Sequence, residues 1–147
     1  MDLGIKDANN MGAAMAPAAY ATIRAHLEDL SAAPEDYDLI VTGDLGQLGK
    51  DMLLELAKSD GVSLGGRLTD CGTLVFDPVT QDVHAGGSGC GCSAITLCGY
   101  LLDQLNTGKK NRTLFCGTGA LLSPTSTQQG LPIPGVCHAV SIIGGNQ

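Results

Sequence analysis

The order of elements predicts an α/β domain with a largely parallel or mixed sheet of about five strands covered by helices. Three observations carry that prediction. Short β-branched runs alternate with amphipathic stretches along the chain. A composition of 44% hydrophobic, 16% charged and 3% aromatic residues with 21 glycines suits a core of small aliphatic side chains. The segment Gly86–Ala94, crowded with glycine and small polar groups, runs straight into the apolar stretch Ile95–Leu105, as where a strand hands over to a buried helix. At 147 residues the chain is long enough to bury one core, and it reads as a single domain over 1–147.

Taken in order, Met15, Ala18, Ala19, Ile23, Leu27 and Leu30 recur at helical spacing, with Pro17 placed in the first turn and His26 on the surface. Tyr37–Thr42 is a short buried strand ended by Gly43. A second helix presents Leu48, Met52, Leu53 and Leu56 on one face. Thr73–Phe76 reads as a strand closed by the Asp77-Pro78 turn, and Asp82–Ala85 as a short strand entering the glycine segment. The next helix covers Ser93–Leu105 and stops near Asn106 and Gly108. Arg112–Cys116 and Val136–Ile143 complete the strands. Between them Gly117–Pro134 is a loop of a length that usually carries function or moves.

Charge narrows the classes. A formal net charge of −7 argues against a nucleic-acid or anionic-membrane surface, and the one basic cluster, Lys109, Lys110 and Arg112, reads as a solvated loop. Asp2, Lys6 and Asp7 exclude a secretory apolar core at the start, and no apolar run reaches the roughly 20 residues of a membrane span. The expectation is an intracellular protein whose six cysteines are mostly reduced, buried small residues.

The chemistry on offer centres on the glycine segment. The first N–H groups of a helix lack intrahelical partners and carry the positive end of its dipole, so they suit an anion, and glycine lets a ligand approach that backbone. A tight turn without a ligand is the alternative. The string matches neither a P-loop nor a dinucleotide fingerprint. His84, Cys90 and Cys92 are poor metal ligands, because Cys-x-Cys departs from zinc spacing. Cys90 or Cys92 could serve as a thiolate with His84 or His138 as base, or simply pack where larger residues would clash. His138, inside an apolar strand, reads as a core histidine or one edging into a pocket. Asp44 and Asp70 stand where α/β folds put site residues, and also where turns and caps need acids. No nucleophile elbow or Ser-His-Asp order appears. The residues alone reach a ligand-binding α/β domain with no metal or cofactor.

Several separate motifs add a resemblance that spans nearly the whole chain: Gly4-Ile5-Lys6-Asp7, Asn10–Ala19, Gly86–Ala94, Gly117–Pro124 and His138–Ile142. Together they resemble the stage V sporulation protein AD family, itself similar in fold to thiolases and ketoacyl synthases. The resemblance implies a non-catalytic protein that binds dipicolinic acid, free or as its calcium chelate, and supports its uptake into the developing endospore. It further implies other spore-membrane transport proteins as partners, no nucleic acid, and a place in solution or peripheral to the inner forespore membrane. Ser88, Gly89, Cys90, Gly91, Cys92 and Ser93 would line the ligand site, with His84, Asp44, Thr118 and His138 in second rank. The chain corresponds to the second half of a thiolase-like fold, which implies a homodimer or pairing with a separately made first half. Where thiolases carry a Gly-His-Pro and an Asn-Glu segment, the comparable places here hold Gly86-Gly87-Ser88 and Gly43-Asp44. Without that histidine and asparagine, condensing or cleaving activity is not expected. The competing readings are an acyltransferase remnant that takes acyl-CoA, and a structural subunit of the transport assembly.

Overall fold

A computed structural model describes residues 1–145. α1 (Met11–Asp29) is started by Asn10, whose side chain accepts the Ala13 N–H at 3.1 Å. The cap sits before the first apolar repeat, so Pro17 falls inside the helix and not in its first turn. The lost N–H is tolerated because Met15, Ala19, Ile23 and Leu27 pin α1 to the sheet. β1 (Leu39–Thr42), α2 (Gly46–Ser59), β2 (Leu68–Asp70) and α3 (Cys71–Leu74) follow. α4 (Cys92–Thr96), a π-helical stretch (Leu97–Leu101) and α5 (Leu102–Asn106) run on as one rod. β3 (Arg112–Ala120), α6 (Pro124–Gln128) and β4 (Gly135–Ile143) end the chain's regular structure.

The sheet has four strands in the order β2-β1-β3-β4, the first three parallel and β4 antiparallel to β3. Side-chain alternation divides the core. Ile40, Leu114, Cys116 and Cys137 pack with α1 and α2, while Val41, Leu39 and Phe115 pack with Cys71, Cys92, Leu97 and Leu101 of the α3 and rod side.

Among the described residues the expected fifth strand is absent because two segments take other shapes. Thr73–Phe76 is β-branched and aromatic, yet Asp70 accepts the Gly72 N–H at 2.9 Å and starts a helical turn at Cys71. The neighbouring strand is the three-residue β2 before it. Asp82–Ala85 forms no strand: Asp77 gathers Val79 N–H and the Thr80 hydroxyl into a local turn, and His84 adopts a left-handed φ of 48°. The long loop is also shorter than expected, since Gly117–Ala120 continues β3 against β4 and Ser123 caps α6.

At the opposite end of the sheet from these loops, Arg112 leaves the basic cluster. Its guanidinium lies 4.5 Å from the Tyr37 ring centroid and donates to the Tyr37 hydroxyl at 3.2 Å and to Ser141 Oγ at 3.3 Å. His26 is half-buried there, its Nε2 2.6 Å from the same hydroxyl. Burial, then the charge of Arg112, hold its imidazole below the ordinary histidine pKa. Four cysteines are buried free thiols, whereas Cys90 and Cys98 are exposed. Among the described residues no helix is long and apolar enough to cross a membrane.

Candidate functional site

The site is assembled by one buried carboxylate. Asp70 ends β2 with no solvent exposure and accepts from Thr42 Oγ1 at 2.6 Å, Leu45 N–H at 2.8 Å, Gly46 N–H at 3.0 Å and Gly72 N–H at 2.9 Å. α2 has no side-chain cap of its own, so Asp70 supplies the anion at its N-terminus from the adjacent strand. Burial pushes the Asp70 carboxyl above its ordinary pKa, against the pull of those four donors. One carboxylate thereby fixes both the β1–α2 loop, which carries Asp44, and the turn at Gly72.

Gly72 in turn holds the glycine segment, its carbonyl accepting the Gly87 N–H at 2.7 Å. The fit admits no side chains. A Cβ on Gly86, whose φ is 117°, would stand 2.6 Å from the Gly72 oxygen, and one on Gly72 would collide with the Gly87 carbonyl. Across the loop, a Cβ on Gly43 would stand 2.6 Å from Thr118 Oγ1 and 2.9 Å from its backbone nitrogen. These close approaches deliver the candidate residues to one another.

Asp44 is where they meet. Its N–H donates to Thr118 Oγ1 at 3.1 Å and the Thr118 hydroxyl donates back to Oδ1 at 3.2 Å. The Ser88 hydroxyl and the Gly89 N–H both donate to Oδ2, at 3.2 and 3.3 Å. Cys92 points its thiol at the Gly43 carbonyl, 3.9 Å away, and Ser93 Oγ lies 3.6 Å from where a Gly43 side chain would begin. Three of the donors expected to receive a ligand's oxyanion, the Ser88 and Thr118 hydroxyls and the Gly89 N–H, are therefore engaged by one of the chain's own carboxylates.

The other candidates make no hydrogen bond to Asp44. Cys90 is exposed. His84 is 90% exposed beside Asp82, its Nδ1 3.7 Å from that carboxylate. His138 pairs with Gly117 in the β3–β4 ladder but is exposed, not a core residue, because the alternation of β4 buries Cys137 and Ala139 toward α1 instead. Burial, then the charges of Asp44 and Asp70, push the Cys92 thiol up, the reverse of what an activated nucleophile needs. Among the described residues, no group of three or more His, Cys, Asp or Glu side chains is placed to hold a metal ion. Sequence reasoning left open whether Asp70 served a site or a cap, placed Gly43 at the end of a strand without its close approach to Thr118, and did not single out Gly72. The available signal was a glycine directly after the β1 run for Gly43, and for Gly72 an acid two residues before it that can cap a turn.

A family model described as Stage V sporulation protein AD matches residues 1–143. The chain is also similar to the Stage V sporulation protein AD of Bacillus subtilis (strain 168), 49% identical over 139 residues that make up 95% of this chain and 41% of that protein. It thus spans about two fifths of the length of the curated relative it matches. With 143 residues matched, the chain belongs to the stage V sporulation protein AD family of sporulation proteins.

Proposed function

We propose that the chain binds dipicolinic acid without transforming it and supports its uptake into the developing endospore. The observation that supports this reading is the convergence of the Ser88 hydroxyl, the Gly89 N–H and the Thr118 hydroxyl on the Asp44 carboxylate, with Ser93 beside Gly43, a donor set suited to a carboxylate. Short hydroxyls and backbone N–H groups are the means by which proteins hold carboxylates without reacting with them. The same residues support a site that does not catalyse. Burial and the nearby carboxylates push the Cys92 thiol up, and on the likeness to thiolases Gly43-Asp44 and Gly86-Gly87-Ser88 would stand where those enzymes carry asparagine and histidine.

Calorimetric titration of the folded chain with dipicolinate, with acetyl-CoA as control, tests the reading. Saturable heat is expected for dipicolinate and none for acetyl-CoA, with Ser88→Ala and Ser93→Ala together weakening binding by about a hundredfold or more, the loss of two hydrogen bonds to a charged group. A folded chain that gives no heat with dipicolinate overturns it.

The partners we propose follow from an uncovered apolar face. Ile95 and Tyr100 on the rod are 69% and 47% exposed, and Val136 and Val140 on β4 are 44% and 52% exposed. Sheets of this kind normally bury both faces, so a second copy or a thiolase-like first half is fitted to cover this one. In isolation the chain is expected to sediment as a species larger than its 15.0 kDa monomer, and Ile95→Asp to dissociate it. A monodisperse monomer at every concentration overturns this part. The remaining partners are transport proteins at the forespore membrane, to which the chain would dock peripherally.

A further inference from the structure

We infer that Asp44 sets the charge specificity of this site: its carboxylate occupies the donors a ligand carboxylate needs, and so limits how tightly a dianion is held. The inference rests on the ligand-binding reading above and concerns the same residues.

Two aspartates in this molecule show the difference between a structural and a replaceable carboxylate. Asp70 is fully buried and takes its donors at 2.6 to 3.0 Å. Asp44 is half-buried, and Ser88, Gly89 and Thr118 reach it only at 3.2, 3.3 and 3.2 Å. Hydrogen bonds to an ionised carboxylate normally close to about 2.5–2.9 Å, so this one is loosely held. It is also uncompensated: among the described residues, the lysine, arginine and histidine ion pairs go to Glu28, Asp60, Glu55 and Asp82, and none to Asp44. A ligand carboxylate that enters to take the Ser88 hydroxyl and the Gly89 N–H must push Asp44 aside and then remain near its charge, with no cation to relieve the repulsion.

The same geometry favours a neutral ligand of the same outline. An amide in place of the carboxylate brings N–H donors to Asp44 and still accepts from Ser88 and Gly89 through its carbonyl. For a protein that hands its ligand on, the arrangement keeps a dianion exchangeable. Thr118 and Ser88 give the site its shape, and Asp44 decides which charge it prefers.

The test compares dipicolinate with its uncharged analogue pyridine-2,6-dicarboxamide on the full chain and on Asp44→Asn. Asparagine keeps an acceptor oxygen for Thr118 or Ser88 while removing the charge. Removing one like charge at a few ångströms is expected to tighten dipicolinate binding by about tenfold or more. The diamide is expected to bind the unmodified chain more tightly than dipicolinate does, and Asp44→Asn to reverse that order. Dipicolinate binding that is unchanged or weaker in Asp44→Asn overturns the inference and leaves the ligand-binding reading intact. If neither compound binds either protein, the ligand-binding reading falls and the inference falls with it. Should circular dichroism show that Asp44→Asn is unfolded, the unmodified chain decides: preference for the diamide supports the inference, and preference for dipicolinate overturns it.

Discussion

Asp70→Ala is expected to lower the unfolding free energy by about 3–5 kcal/mol, the range for breaking a buried hydrogen-bonded charge and stranding its partners. Alanine would leave the N–H groups of Leu45, Gly46 and Gly72 without that acceptor, and the Thr42 hydroxyl with only the Thr69 carbonyl at 3.2 Å, in a place that water does not reach. It would also take the anion from the N-terminus of α2 and the cap from α3 at once. Asp70→Asn separates charge from acceptor. Its single carbonyl can serve some of the donors while its amide group faces the others, so a loss of about half as much is expected. Urea unfolding followed by circular dichroism measures both. An Asp70→Ala midpoint within error of the unmodified chain would show that the carboxylate does not hold these loops. Because Asp44 and the Gly87 turn hang from the same carboxylate, Asp70→Ala should also abolish dipicolinate binding, although the Asp70 carboxylate accepts from Thr42, Leu45, Gly46 and Gly72 and not from the ligand donors.

The second large effect lies where α1 crosses α2. Gly12 and Gly49 face each other so closely that a Cβ on either would stand 2.9 Å from the other's Cα, and the Gly12 Cβ would be 2.9 Å from the Leu45 carbonyl as well. Both obstacles are backbone, so neither can swing aside as a side chain would. Gly49→Ala gains about 1 kcal/mol of helix propensity, and the forced separation of the helices costs more than that, for a net loss of about 2 kcal/mol. Thermal unfolding is the measurement. A variant with a raised melting temperature would mean that propensity wins and that the crossing can widen without cost. The crossing matters for the site because α2 begins at Gly46, two residues after Asp44.

Much of the frame was legible in the chain itself. The apolar spacing of Met15 through Leu30 and the runs at Tyr37–Thr42, Arg112–Cys116 and Val136–Ile143 carry their own periods, and each matches an element of the predicted type with ends shifted by up to a few residues, β3 running on to Ala120. Such patterns arise because burial of one face repeats every two residues in a strand and about every 3.6 in a helix, so the information is local. Where a local preference met a non-local partner, the partner prevailed. Thr73–Phe76 has the composition of a strand, but the Asp70 cap bends the chain at Cys71 before a strand can start. Leu68–Asp70 is too short to show a period, and is a strand only because β1 lies beside it.

The candidate site divides in the same way. The sequence by itself determined its materials: a glycine segment before a helix, with serines and an acid placed at strand ends, and a family whose motifs run through residues 1–143. Only the tertiary structure decided that Ser88 and Thr118, separated from Asp44 by 44 and 74 positions, would close on that one carboxylate while Cys90, His84 and His138 stayed outside. The physical reason is that hydrogen-bond partners this far apart are chosen by sheet register and by the side-chain-free approaches at Gly43, Gly72 and Gly86, none of which leaves a period in the sequence.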